Sequence, residues 1–167
     1  MVILIFTLVF VAAFFLTRSY RFFDEYYDTA VFISCMSVLF QLLCRGHLLW
    51  WFQAWGLFTD KLSSLTQFVL MFPFSTVLFL SHIPRKRFHA VLYYLGFVAV
   101  YVLMEVFLNL HHEIIYRYNW SFFWSVLIDF CLFAVEWVHA KSWKIAVPIS
   151  ACMIAFLMVW FRVPLDV

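Results

Sequence analysis

The sequence predicts an all-α fold: an integral membrane helical bundle with six transmembrane helices, or five if one marginal segment fails to cross. Two observations carry this. Hydrophobic residues make up 67% of the chain and charged residues 12%, whereas an ordinary soluble domain is about 25% charged. So little charge cannot cover a water-facing surface. The apolar residues also fall into six runs, at 1–17, 29–44, 62–80, 88–110, 120–138 and 145–161, separated by short polar breaks.

Crossing the hydrocarbon takes about 20 residues. The third, fourth and fifth runs meet that alone. The second is short unless Tyr26 and Tyr27 extend it at an interface, and the first and sixth are marginal but bounded by charge. Backbone groups in lipid must be satisfied within the segment, so each run is read as a helix. The first run has no basic leader and no small-x-small site before Arg18, so it reads as a retained helix and not a signal peptide. Pro73 falls within the third run, where it predicts a kink and a freed Val69 carbonyl, with Ser75 and Thr76 at hand to help satisfy the site. Pro148 is expected in the first turn of the sixth, where proline is well tolerated. With no linker, low-complexity tract or internal repeat, residues 1–167 read as a single transmembrane domain.

Lys and Arg set the orientation. The loops after the first, third and fifth runs hold seven: Arg18, Arg21, Arg85, Lys86, Arg87, Lys141 and Lys144. The opposite side holds four: Arg45, Lys61, Arg117 and Arg162. The bias places both termini outside. Residues 45–58 read as an interfacial stretch anchored by Trp50, Trp51 and Trp55, with Trp120, His111 and His112 at the same level. Arg85-Lys86-Arg87 serves topology first and anionic-lipid contact second. The net charge of +2 gives no reason to expect a nucleic-acid partner. Membrane lipids are the expected partners, together with a homo-oligomer or larger membrane complex.

Three acids lie inside the runs: Glu105, Asp129 and Glu136. An acid at the centre of a membrane helix costs about 3 kcal/mol, and such residues are functional candidates by default. At about 100° per residue, Tyr94, Tyr101, Glu105, Asn109 and His112 share one face of the fourth run, and Ser121, Ser125, Asp129, Glu136 and His139 one face of the fifth. The short 111–119 loop makes these two helices antiparallel neighbours. A single register then sets Glu105 level with Ser125, Tyr101 with Asp129, Tyr94 with Glu136 and Asn109 with Ser121. This predicts that Tyr101 donates to Asp129 and Ser125 to Glu105. Ser34, Ser37 and Gln41 share a face of the second run, and Ser64, Gln67, Ser75 and His82 a face of the third; both read as interhelical hydrogen-bonding positions.

His111-His112-Glu113 does not have the H-E-x-x-H spacing, and adjacent histidines point to different helix faces, so no metal site is expected. Cys35, Cys44, Cys131 and Cys152 have no ligand spacing and read as small apolar residues. No phosphate-binding loop, nucleophile elbow or dinucleotide fingerprint occurs, so no cofactor is expected.

Several longer stretches are distinctive: E-Y-Y-D-T at 25–29, F-P-F-S-T-V-L-F-L-S-H-I-P at 72–84, Y-V-L-M-E at 101–105, Y-N-W-S-F-F-W-S-V-L-I-D at 118–129 and F-R-V-P-L at 161–165. On these the chain resembles a family of small, uncharacterised multi-pass membrane proteins of spore-forming Firmicutes. That family usually has glycine where this chain has Asn119, and many members carry a His, Tyr-Lys and Pro pattern after the fifth segment that is only partly present around His139. The resemblance implies a location in the cell membrane and no particular activity. A more distant, fold-level similarity is to the membrane domains of lycopene cyclases, whose Pro-x-Glu-Glu motif is missing here.

Three roles are compatible with these features. The favoured one is structural, sensory or accessory, with the polar stripes holding the bundle together. The second is a small proton- or cation-coupled transporter or channel subunit using Glu105 and Asp129. The third is a membrane enzyme acting on a lipid or isoprenoid, with the same acids in catalysis. Fully paired acids in a closed bundle favour the first, a continuous wet cavity the second, and a deep apolar pocket open towards lipid the third.

Overall fold

A computed structural model describes residues 2–53 and 59–164; Trp55 lies outside the described residues. The architecture is helical with one small ribbon. The elements are α1 (Val2–Leu16), a 3-10 turn (Ser19–Phe22), α2 (Phe23–Leu43), β1 (Trp50–Phe52), α3 (Asp60–Thr66), a π-helical turn (Gln67–Met71), α4 (Phe72–Ser81), α5 (Arg87–Leu110), β2 (Ile114–Tyr116), α6 (Phe122–His139) and α7 (Trp143–Trp160). Asp60–Ser81 is one continuous helical rod, so the described residues form six long helical segments. Five of these helices are long and apolar enough to cross a membrane; α1 is apolar but has only 15 residues. The second run is longer than its apolar stretch because Asp24 and Glu25 occupy the first turn of α2, where acids complement the helix dipole.

α1 nonetheless runs the full height of the bundle. Its first backbone N–H, at Val2, donates to Glu113 Oε2 (2.7 Å) beside β2. At its far end Ser19 accepts a hydrogen bond from Ser81 (3.2 Å), at the end of α4. The C-terminal end of α7 meets the loop before α6, with Phe161 and Trp120 ring centroids 5.0 Å apart. The beginning of α1 and the end of α7 therefore lie at the same end of the molecule, the end that carries the ribbon.

The ribbon is the one element with no counterpart in the apolar pattern. β1 and β2 pair antiparallel, Trp50 opposite Tyr116, Trp51 opposite Ile115 and Phe52 opposite Ile114. Gln53 N–H donates to the Glu113 carbonyl and Arg117 N–H to the Leu49 carbonyl, extending the pairing at both ends. α5 delivers the chain into β2 by a glycine-free C-terminal motif: His112 N–H bonds the Asn109 carbonyl and Glu113 N–H the Leu108 carbonyl, with His112 at φ 55°. Beyond β2, Asn119 adopts φ 63°. This is backbone that glycine adopts freely and asparagine tolerates better than most residues, which accounts for asparagine at this turn.

Both prolines depart from expectation. Pro73 does not sit in the middle of an α-helix. It stands at the start of α4, directly after the π turn, in which Phe72 N–H reaches back to the Gln67 carbonyl. The extra residue in that turn absorbs the missing donor and the steric demand of the ring. Ser75 donates to the Phe72 carbonyl and Thr76 to Glu136, so neither serves Val69. Pro148 lies in the second turn of α7, because that helix starts at Trp143, earlier than its apolar run suggests.

The core is aromatic. Phe133 of α6 is fully buried and packs with ring centroids 5.0 Å from Phe79, 5.6 Å from Phe97 and 4.9 Å from Tyr101, joining α4, α5 and α6. Aromatic pairs at these distances prefer edge-on and tilted geometries, as seen here. Phe10 of α1 closes on Tyr101 at 5.6 Å from the other side.

Two outcomes are expected. Phe133→Ala should destabilise the protein by about 3 kcal/mol, read as a lower midpoint of thermal unfolding in a mild detergent; an unchanged midpoint would contradict the central role given to this ring. In a background without the four native cysteines, Trp51→Cys with Ile115→Cys should form a disulfide readily, while Trp51→Cys paired with a cysteine in place of Leu110 should not.

Candidate functional site

The structure encloses a cavity of about 190 Å³ directly beneath the ribbon. α2 contributes Ile33, Met36, Ser37, Phe40 and Gln41; β1 contributes Trp50 and Phe52; the rod contributes Gln67, Phe68 and Phe72. Tyr101, Met104, Glu105 and Leu108 come from α5, Ser125, Ile128, Asp129, Leu132 and Val135 from α6, and Ser150, Met153, Ile154 and Leu157 from α7. The lining is overwhelmingly apolar. α2 and α7 both line the cavity. The described lining contains two carboxylates and no Lys, Arg or His.

Glu105 is 6% exposed and is held from the ribbon. Tyr116 of β2 donates its phenol proton to Glu105 Oε1. Asn109, one turn along α5, donates Nδ2–H to the Tyr116 oxygen (2.7 Å) and to the Glu105 carbonyl (2.9 Å). Burial, reinforced by the bond to Glu105, pushes the Tyr116 phenol well above its ordinary pKa, so it remains a donor. Ser125 lies against Glu105 and Tyr116, and its oxygen accepts from Trp120 Nε1 (3.0 Å). Asp129, one turn further along α6, is within electrostatic reach of Glu105. Its carboxylate accepts no hydrogen bond from any described residue, and it faces the cavity.

The other predicted polar residues separate from this pair. Tyr101 is 2% exposed and its hydroxyl shares a hydrogen bond with Ser75 of α4 (2.6 Å). The expected donation to Asp129 is therefore replaced by one to a different helix. The reason is the phase of α4, which presents Ser75 to α5 immediately after the π turn. Tyr94 donates to the Phe130 carbonyl (2.5 Å) and does not meet Glu136. Glu136 has no exposed surface; Thr76 Oγ1 donates to its Oε1 (3.1 Å) and its Oε2 has no partner among the described residues. It belongs to the α4–α6 contact and does not line the cavity. At the end opposite the ribbon, Thr29 and His139 Nδ1 share a hydrogen bond (2.9 Å) between α2 and α6.

The residues expected at an interface divide by burial. Trp120 is buried and Trp50 half-buried, their ring centroids 4.7 Å apart, with Phe40 stacked on Trp50 at 5.6 Å. These three rings form the cavity wall under the ribbon. Trp51 faces the other way and carries the Arg117 guanidinium 4.3 Å above its ring, while His111 and His112 are exposed at the end of α5.

Sequence reasoning missed Tyr116, which lies in a loop whose strand character is invisible alone. It also missed that Gln41 and Gln67 would line the site, although both were on the polar faces of their helices; Gln41 Nε2 donates to Ser64 (3.4 Å), tying α2 to α3. Cys44 lines the cavity, but burial pushes its thiol up to about 11, which makes it a poor nucleophile. Among the described residues no group of three or more His, Cys, Asp and Glu could hold a metal ion.

No family model, no curated protein and no solved structure matches the chain.

A double-mutant cycle separates the observed partner of Tyr101 from the predicted one. Tyr101→Phe and Ser75→Ala should couple by about 0.6 kcal/mol, the scale typical of buried hydrogen bonds between membrane helices. Tyr101→Phe and Asp129→Asn should be additive. Coupling in the second cycle and none in the first would reverse the assignment.

Proposed function

We propose that this is a multi-pass protein of the cell membrane that receives an amphiphilic molecule, lipid or isoprenoid in size and character, in the cavity beneath the ribbon. On this reading the six long helical segments are transmembrane and the ligand enters from the bilayer. The observation that carries the proposal is the combination of an apolar cavity with the Asp129 side chain on its wall, which has no hydrogen-bond partner among the described residues. Ligand sites are typically concave and apolar with a few placed polar groups.

A purely structural role for the polar stripes explains only some of them. It suits Tyr94 and Tyr101, whose hydroxyls are engaged in hydrogen bonds between helices, and Glu136, which bonds Thr76 in the α4–α6 contact away from the cavity. It gives no account of Asp129, an acid that faces the cavity and has no hydrogen-bond partner among the described residues. Ligand binding in a sensory or accessory capacity gives one. A catalytic role is the second reading, favoured by the neighbouring Glu105: one carboxylate is held by Tyr116 and the other is open, and paired carboxylates in unlike environments are the usual basis for dividing acid and base roles.

Photolabelling tests this directly. A diazirine-bearing long-chain alkyl probe, added to the protein in maltoside micelles, should label peptides containing Phe40, Leu132 and Met153. Leu132→Trp, which fills the cavity, should abolish that labelling without loss of the folded protein. Labelling confined to outward residues such as Phe123 and Val159 in both proteins would overturn the proposal.

A further inference from the structure

The chemistry of the cavity wall also selects the charge of what binds there. Glu105 and Asp129 place two carboxylates on one wall, and no basic side chain in the described lining offsets them. Two acids this close in apolar surroundings do not both ionise without a counter-charge. Glu105 is partly relieved by the Tyr116 hydroxyl; Asp129 is not relieved by any described donor. The remaining wall is aromatic. Phe40, Trp50 and Trp120 form a contiguous cluster, joined to the acids through the Trp120 Nε1–H bond to Ser125, which lies against Glu105. Aromatic faces beside a carboxylate attract cations, most strongly in desolvated sites, and recognise substituted ammonium groups that cannot donate several hydrogen bonds. An anionic head would meet two acidic groups and the negative faces of the rings, whereas a cation supplies the counter-charge that favours their ionised forms. A neutral head would leave the acids as they are.

We infer that the cavity selects a cationic amphiphile: an apolar body with a protonated amine or quaternary ammonium head seated between Asp129 and the Phe40–Trp50–Trp120 cluster. This rests on the reading of the cavity as an amphiphile site and adds the charge of the head. Asp129 is the principal counter-ion and Glu105 the secondary one, since Glu105 already accepts from Tyr116. The apolar chain runs along Leu132 and Met153, which line the cavity.

The test is competition against the photoprobe. In uncharged maltoside micelles, where no lipid surface concentrates cations, dodecyltrimethylammonium should protect the cavity peptides from labelling. Dodecanol, with the same chain and no charge, should protect about tenfold less or worse. Asp129→Asn should weaken protection by dodecyltrimethylammonium by about tenfold or more and leave dodecanol unchanged, with a smaller loss in Glu105→Gln. Equal protection by the cation and the alcohol in the wild type would overturn the inference about charge and leave the amphiphile site standing. So would probe labelling of the cavity that neither compound reduces. Absence of cavity labelling by the photoprobe would remove both. Should Asp129→Asn fail to fold, the wild-type comparison and Glu105→Gln decide the matter.

Discussion

The pairing of Trp50–Phe52 with Ile114–Tyr116 is the constraint on which the site depends. Three residues on each side would be a negligible sheet elsewhere. Here the pairing ties the connection after α2 to the connection after α5, and the candidate site hangs from one side of that tie. It brings Tyr116 over Glu105, turns Trp50 onto Phe40 and Trp120, and roofs the space that α2, α5, α6 and α7 leave between them. The same loop supplies Glu113, which receives the first N–H of α1. A helix of 15 residues is thus fixed at one end by a carboxylate acting as its cap.

The polar groups of the bundle fall into two populations. Ser75 with Tyr101, Thr76 with Glu136, and Thr29 with His139 each join two helices. Where water is scarce, such bonds hold elements in register. Glu105 and Asp129 differ because they border open space. Glu136, on the same helix as Asp129 and two turns further on, is also an acid, yet it is closed into the α4–α6 contact and does not line the cavity. Residue type alone does not make that distinction.

This is also the limit of what the sequence discloses. The helices were legible because apolar runs and charged breaks record burial and solvent residue by residue, and the antiparallel neighbours α5 and α6 followed from a short loop. Glu105, Asp129 and Ser125 could be placed near one another for the same reason. The ribbon was not legible: Trp-Trp-Phe and Ile-Ile-Tyr are too short to show alternation, and each acquires meaning only from a partner some sixty residues away. The partner of Tyr101 was hidden by a subtler cause. Its assignment to Asp129 assumed that α5 and α6 were sufficient, whereas α4 reaches Tyr101 first. That approach depends on where the helix before it gains a residue. Pro73 signalled a disturbance without specifying its form.

The π turn at Gln67–Met71 has a geometric consequence. Inserting one residue into a turn offsets the faces above and below it by roughly 100° from the alignment of an unbroken helix. The Asp60–Ser81 rod consequently presents two azimuths along its length. Its first half directs Ser64 and Gln67 towards α2 and the cavity, and its second half directs Ser75 and Thr76 to α5 and α6. The polar side chains of one rod thereby reach different partners along its length, while α4 also packs closely on α2 and α1.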